Sequence, residues 1–273
     1  MTYRGVNKEY FLDSAVRQVM NPDSPKIQGK EPSLIPSYWR KFKGDYDRLM
    51  EEEQIFRSIY ASEILYNGIN LKELAKKNVK RLGRHSISDL EDDTDPVSQE
   101  YYRRWIKKMY GESEAALLAQ HYGFKTRYLD ITFDLSVALF FAAYQYIEKE
   151  NGKSTYKLNI NDEAAVYCFM FGHDILREDE YLETNLFSHA FPERPKRQKC
   201  TGYAVGYEER NNAAQHIIYR LKFKKDFNTS GLPRAEELFP SRNEDKFYDL
   251  LLRYKEKNKN KYDFVDSIIE YEF

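Results

Sequence analysis

Residues 135–146, LSVALFFAAYQY, are apolar on nearly every face of a helix, and a helix of that kind has to be enclosed by the rest of the chain. Any fold adopted by this sequence must therefore supply packing partners on several of its sides. The longest apolar run there, 137–144, is far short of the roughly 20 residues needed to cross a bilayer. Protein, not lipid, is expected to cover it. At 273 residues the chain can afford such a cover within one elaborated domain or two small ones, and we read one, spanning 1–273. Hydrophobic residues make up 41%, with 23 Tyr and 17 Phe, enough bulk for a sizeable core despite a mean hydropathy of -0.77.

The text around the apolar helix sets the remaining expectations. Residues 112–120 are strongly helix-forming, and Gly123 suits the left-handed position that ends many helices. Residues 126–132, TRYLDIT, read as a compact polar turn held between two packed helices, the usual way a fold fixes polar groups. Upstream, 10–20 predicts a short amphipathic helix, 21–36 a proline-rich loop, and 38–66 one long or two shorter helices capped by Ser37. The stretch 84–112 pairs an acidic cluster with Arg103, Arg104, Lys107 and Lys108 around Trp105. It reads as an acidic loop leading into a helix with a solvated basic side, or as a family-variable insertion that contacts a partner. Downstream, 149–162 reads as a break, 164–171 as a buried strand, and 173–202 as polar loop. Residues 216–223 read as a strand with one covered face, and a helix begins at Ser241 or Asn243. The pattern is α+β: a central, mainly antiparallel sheet with a helical N-terminal region.

Charge and motif searches narrow the function. Lys plus Arg total 43 against 44 Asp plus Glu, so nucleic-acid binding through a net positive field is not favoured. Cys168 and Cys200 are too few for a disulfide framework, which fits a reducing cytoplasm, and the N-terminus lacks the apolar stretch of a signal peptide. Neither GxGxxG nor GxxxxGK[ST] occurs, GxSxG is absent, and the histidines show no metal-ligand spacing. Cys200 with His121 is one of many nucleophile and base pairs that two cysteines and five histidines allow.

Three stretches carry more information: YRG at 3–5, QHYGFKTRYLDIT at 120–132 followed by ALFFAA at 138–143, and RQKCTG at 197–202. Together with LFP at 238–240 they resemble the FRG domain family. Its opening signature is an aromatic residue, an arginine and a glycine, and its central signature runs approximately QHYGxPTRLLDWT. Lys125, Tyr128 and Ile131 depart from that pattern. The resemblance covers almost the whole chain and implies a distant likeness to the ADP-ribosyltransferase fold, with NAD as the cofactor, transfer to a macromolecular acceptor, and toxin or phage-defence roles. On that analogy Tyr3, Arg4, Gly5, Tyr122, Thr126, Arg127 and Thr132 bind the dinucleotide, while His121, Asp130 and Gln198 serve its chemistry.

Residue chemistry leaves alternatives open for each of these. A guanidinium at Arg4 or Arg127 can grip a diphosphate through two donors, or pair internally with Asp130. Asp130 can steady positive charge on a ribose or cap the following helix. His121 can act on a ribose hydroxyl or simply pack at a helix end, and Gln198 can hydrogen-bond sugar hydroxyls but cannot replace a carboxylate. Tyr122 and Tyr128 can stack on a base or fill the core. The rival to an enzyme is a non-catalytic nucleotide- or protein-binding module.

Overall fold

The computed structural model describes residues 1–12, 30–36, 114–126, 128–150, 152–171, 181–183, 192–204, 212–224, 226–259 and 268–273. Residues 13–20 of the expected 10–20 helix, the expected helices of 38–66, Ser37, the 84–112 stretch with its basic cluster, and Arg127 lie outside them.

Among the described residues, α1 is Glu114–His121, α2 Leu135–Ala143, α3 Glu193–Arg197, α4 Ala235–Leu238 and α5 Lys246–Asn258. The main sheet is built from β1 (Thr2–Val6), β2 (Tyr128–Thr132), β5 (Ala165–Phe169), β6 (Tyr181–Glu183), β7 (Cys200–Ala204) and β8 (Ile217–Leu221). A separate antiparallel ribbon joins β3 (Tyr144–Glu148) to β4 (Ser154–Leu158). The six-stranded sheet has the order β6-β7-β2-β1-β5-β8, and every adjacent pair is antiparallel. The expected mixed helix and sheet architecture, with a mainly antiparallel sheet, is what forms. No helix among the described residues is long and apolar enough to cross a membrane.

The centre of the sheet is buried on both faces. Leu129, Ile131, Tyr167, Phe169 and Tyr203 pack on one side against Leu34, Ile35, Ala213 and Ala214. Across the sheet, α2 lays Ala138 and Ala142 against Val166 and Tyr3. The close approach is possible because β1 carries Gly5: a Cβ there would sit 1.7 Å from the Ala138 carbonyl oxygen and 2.8 Å from the Ala142 amide nitrogen. A second face of α2, carrying Val137 and Phe140, meets Ala235, Leu238 and Phe239 with the ring of Tyr156, so the apolar helix is enclosed as its sequence requires.

Several expectations are corrected. Residues 128–132 are not a turn but the strand β2, paired on both edges and buried at Tyr128, Leu129, Ile131 and Thr132. Pairing with β1 and β7 overrides the weak strand propensity of Asp130 and the turn tendency of its neighbours. The apolar helix stops at Ala143, where Tyr144 turns extended, and 144–148 pairs with 154–158 inside the supposed break. The polar 173–202 contains β6, α3 and the start of β7, and residues 10–12 are extended, with Phe11 bridging to Pro32. The strand of 216–223 is the edge strand β8, exposed at Ile218, Tyr219 and Leu221, so neither face is fully covered. The last helix starts one turn late, capped by Asp245. The strand of 164–171 forms as β5, buried at every position, and Gly123 takes a positive φ of 111° just past α1.

Candidate functional site

The sheet order sets β1, β2 and β7 side by side, and this assembles the site. Thr132 stands opposite both Tyr3 and Cys200, and Asp130 stands opposite Gly202. Alternation along β2 and β7 puts Asp130, Thr132 and Cys200 on one face. They border a cavity of about 210 Å³ together with Tyr3, Arg4, Gly5, His121 and Gln198. The structure thus brings together the opening block, the central block and the RQKCTG block. Tyr122 and Thr126 do not line this cavity.

Arg4 donates from Nη1 to the backbone oxygen of Asp130, so strand β1 and the β2 carboxylate residue are tied without use of the carboxylate. Among the described residues its guanidinium forms no ion pair. Burial pushes its pKa below the ordinary arginine value, against the opposing pull of the Asp130 charge. Asp130 Oδ1 is itself buried and has no hydrogen-bond partner. It lies 3.8 Å from His121 Nε2. The N-cap of α2 is Asp134, whose Oδ1 accepts from the Ser136 amide at 2.8 Å, so Asp130 is not engaged as a cap.

His121, at the end of α1, is held from three directions. Gln198 donates from Nε2 to the Leu238 carbonyl at 3.1 Å, which turns its Oε1 toward His121 Nδ1 at 3.2 Å. An acceptor facing Nδ1 places the ring proton there and leaves a lone pair on Nε2. Nε2 faces Cys200 Sγ at 2.7 Å. The third hold is on the main chain, where Arg194 Nη1 donates to the His121 carbonyl at 2.6 Å. Burial lowers the imidazole pKa, with Asp130 and Gln198 pulling the other way and Arg194 adding to the lowering. The ring is neutral near pH 7. Burial, reinforced by the Asp130 charge, pushes the Cys200 thiol well up.

The remaining residues brace this arrangement. Thr132 Oγ1 donates to the Gln198 carbonyl at 2.7 Å and accepts from the Asp134 amide, joining β2 to the turn that carries Gln198. In that turn Lys199 adopts a positive φ of 42°, which lets Gln198 and Cys200 both reach the cavity. Thr126 hydrogen-bonds Gln120 through its hydroxyl and accepts from the Tyr128 amide, tying the chain between α1 and β2. Tyr122 is fully buried behind the site, donating to Asp245 at 2.7 Å. Its ring lies 4.5 Å from the guanidinium carbon of Arg194, which is also set over Tyr248, Tyr271 and Phe239. Sequence reasoning missed Arg194 entirely, and weighed Cys200 only as an accidental pairing. The signal for Cys200 was present in its adjacency to Gln198; for Arg194 there was none, because its partners come from distant segments.

A second cavity, of about 370 Å³, adjoins the first and shares Arg4, Gly5, Phe141 and Tyr156 with it. Tyr144 and Tyr146 also border it. Among the described residues no group of His, Cys, Asp and Glu side chains could hold a metal ion.

No curated protein and no solved structure matches the chain. A family model does match residues 62–151, a span that takes in His121, Asp130 and Thr132 and leaves Arg4, Gln198 and Cys200 outside it. The residues of α1, β2 and α2 that build the central wall of the cavity therefore lie within the stretch matched by the FRG domain model.

Proposed function

We propose that this is an FRG-domain protein that binds NAD, or a nucleotide related to it, in the two cavities that meet at Arg4. We further propose that it transfers ADP-ribose to a macromolecule, as an effector of the toxin or phage-defence type. One observation carries the reading: a guanidinium and a carboxylate, Arg4 and Asp130, face one cavity and do not pair with each other. Opposite charges left apart in a part-buried site are costly unless a ligand serves both. A dinucleotide does so, with its diphosphate on the arginine fork and its ribose hydroxyls donating to the bare Asp130 oxygen. The larger cavity lies within the roughly 300–1,000 Å³ usual for small-molecule sites, and its tyrosines offer faces for an adenine ring.

The chemistry follows from the same side chains. Cleavage of the nicotinamide glycosidic bond develops positive charge on the ribose, and Asp130 is the group that opposes it. His121, 3.8 Å from Asp130 and beside Cys200, is the group placed to act on a ribose hydroxyl. Gln198, with both ends of its amide engaged, orients His121 and does not itself reach for the sugar.

A second reading is favoured by one fact: Asp130 is the sole carboxylate among the described residues lining the smaller cavity, with no glutamate beside it. That suits a non-catalytic module that binds a nucleotide in the same place. Calorimetry with NAD, followed by a nicotinamide-release assay on the parent and on Asp130→Ala, separates the two. Turnover lost in Asp130→Ala supports the transferase; binding with no release in either protein supports the module. At 100 times its dissociation constant a bound nucleotide stabilises the fold by about 2.7 kcal/mol, so a flat thermal-shift panel of NAD, ADP-ribose and ATP refutes both.

A further inference from the structure

We propose that Cys200 is a base-assisted nucleophile that captures a small acyl group from a thioester or activated ester inside the smaller cavity, with His121 as its base and Gln198 as the positioning residue. The proposal does not rest on nucleotide binding. It stands on a relay that the fold sets in order. The Leu238 carbonyl orients Gln198, Gln198 fixes the proton on His121 Nδ1, and His121 Nε2 presents its lone pair 2.7 Å from Cys200 Sγ. That separation is within the reach a general base needs. All three side chains border the cavity, so an electrophile entering it meets the sulfur.

The step balances without any outside oxidant or reductant. The thiol proton passes to His121 Nε2 as the S–C bond forms at the acyl carbonyl. The carbon to leaving-group bond then breaks, and the leaving thiol or alcohol departs with that proton, so the imidazole is neutral again. The product is a thioester on Cys200, standing in the cavity that Arg4 and Asp130 share.

The relay makes a prediction that a simple exposed thiol does not. The groups facing the pair are Asp130 on β2, Arg4 on β1, Gln198 at the end of α3, and Arg194 at the His121 carbonyl. With the thiol held protonated and the imidazole neutral, reactivity needs only the neutral base. The rate therefore rises with the His121 titration, below its ordinary value of about 6.5, and levels off by about pH 7. Cys168, buried on β5 with its own pKa raised by burial and no such base beside it among the described residues, reacts only as it ionises, climbing through pH 9.

The test uses the full chain and p-nitrophenyl acetate, following p-nitrophenolate release and mapping the acetyl group by peptide mass. Expected are one equivalent released, the label on Cys200, a rate plateau from about pH 7, and a loss of about 10²-fold or more in His121→Ala. Gln198→Ala, which frees the ring to change tautomer, is expected to slow capture and shift the inflection, with Gln198→Asn restoring part of the rate. Labelling of Cys168 at a comparable rate, or a Cys200 rate that climbs through pH 9 without a plateau, overturns the proposal. The pH profile of the unaltered protein decides the matter even if the variants fail to fold.

Discussion

Replacing Gly5 by alanine tests how tightly β1 is set against α2, and with it the placement of Arg4. A Cβ at residue 5 would meet only backbone: the Ala138 oxygen at 1.7 Å, the Ala138 carbonyl carbon at 2.7 Å and the Ala142 nitrogen at 2.8 Å. No rotamer change can relieve these contacts, so the helix must back away by roughly 1.5 Å to reach ordinary separation. A gap of that size forfeits much of the dispersion between Ala138, Ala142 and Val166, in addition to the ordinary 1–3 kcal/mol of overpacking. The expected destabilisation is about 3 kcal/mol or more, which lowers Tm by roughly 6–12 °C in a chain of this size. Two other glycines calibrate the result. At Gly202 the clash is with Leu117 Cδ1 at 2.5 Å, the movable end of a side chain, so Gly202→Ala should cost about 1 kcal/mol. Gly231 has nothing within 4 Å, and Gly231→Ala should stay within about 0.5 kcal/mol of the parent. Urea melts of all three proteins provide the ranking. If Gly5→Ala melts with Gly231→Ala, the contact between β1 and α2 is not as close as described, and the geometry of the cavity falls with it.

Arg4→Lys keeps the charge but loses the fork, so NAD affinity by calorimetry should drop about tenfold, and an unchanged affinity would remove Arg4 from the diphosphate site. Asp245→Ala strips the cap of α5 and the acceptor for Tyr122, the Arg194 amide and the Tyr248 amide; a loss of about 3–5 kcal/mol in urea melts is expected. Burial raises the pKa of Glu9, but Arg220, Lys222 and the Tyr167 hydroxyl around its carboxylate outweigh this and leave it below the ordinary value. Glu9→Gln should cost about 1–3 kcal/mol, with the deficit shrinking in acid as the parent carboxylate protonates. His121 and His216 both have their pKa lowered by burial, so the unfolded chain takes up protons near pH 6.5 that the folded chain refuses. Stability should therefore fall from about pH 7 toward pH 5, and melts that strengthen over that range would contradict the neutral assignment of His121.

How much of this was legible beforehand varies with how local the cause is. The enclosure of α2 follows from the composition of LSVALFFAA alone. Its end does not, since Tyr144, Gln145, Tyr146 and Ile147 continue a helix pattern as well as they form a strand, and only pairing with 154–158 decides. β4 was hidden for a related reason: a two-stranded ribbon with exposed residues can be built from polar text such as STYKL. β2 read as a turn because Asp and Thr favour turns locally, whereas its strand state comes from neighbours far away in sequence. In the site, Arg4, His121, Asp130 and Gln198 stood out through their motifs, but their convergence depends on strand order, which no spacing reveals. What each side chain binds was less legible still. Gln198 was expected to face the sugar, yet its amide is spent on Leu238 and His121.

The handling of Arg194 explains why Asp130 remains free to act. A fully buried guanidinium beside the site would ordinarily demand a carboxylate, and a carboxylate placed to satisfy it could also oppose charge in the cavity. Here, among the described residues, Arg194 forms no ion pair; its charge is met by the faces of Tyr122, Tyr248 and Tyr271 within 5 Å and by the His121 carbonyl. Asp245 lies nearby, but its Oδ2 accepts from the Arg194 backbone amide and the Tyr122 hydroxyl. The aromatic cage thus fixes the position of His121 from behind without competing for Asp130. Lysine cannot substitute, because its compact ammonium has no flat face to lie between rings. Arg194→Lys should therefore loosen His121 while conserving net charge. The expected signature is a weakened plateau in Cys200 acetylation together with a lowered Tm, and a lowered Tm with an unaltered plateau would show that the cage serves stability alone.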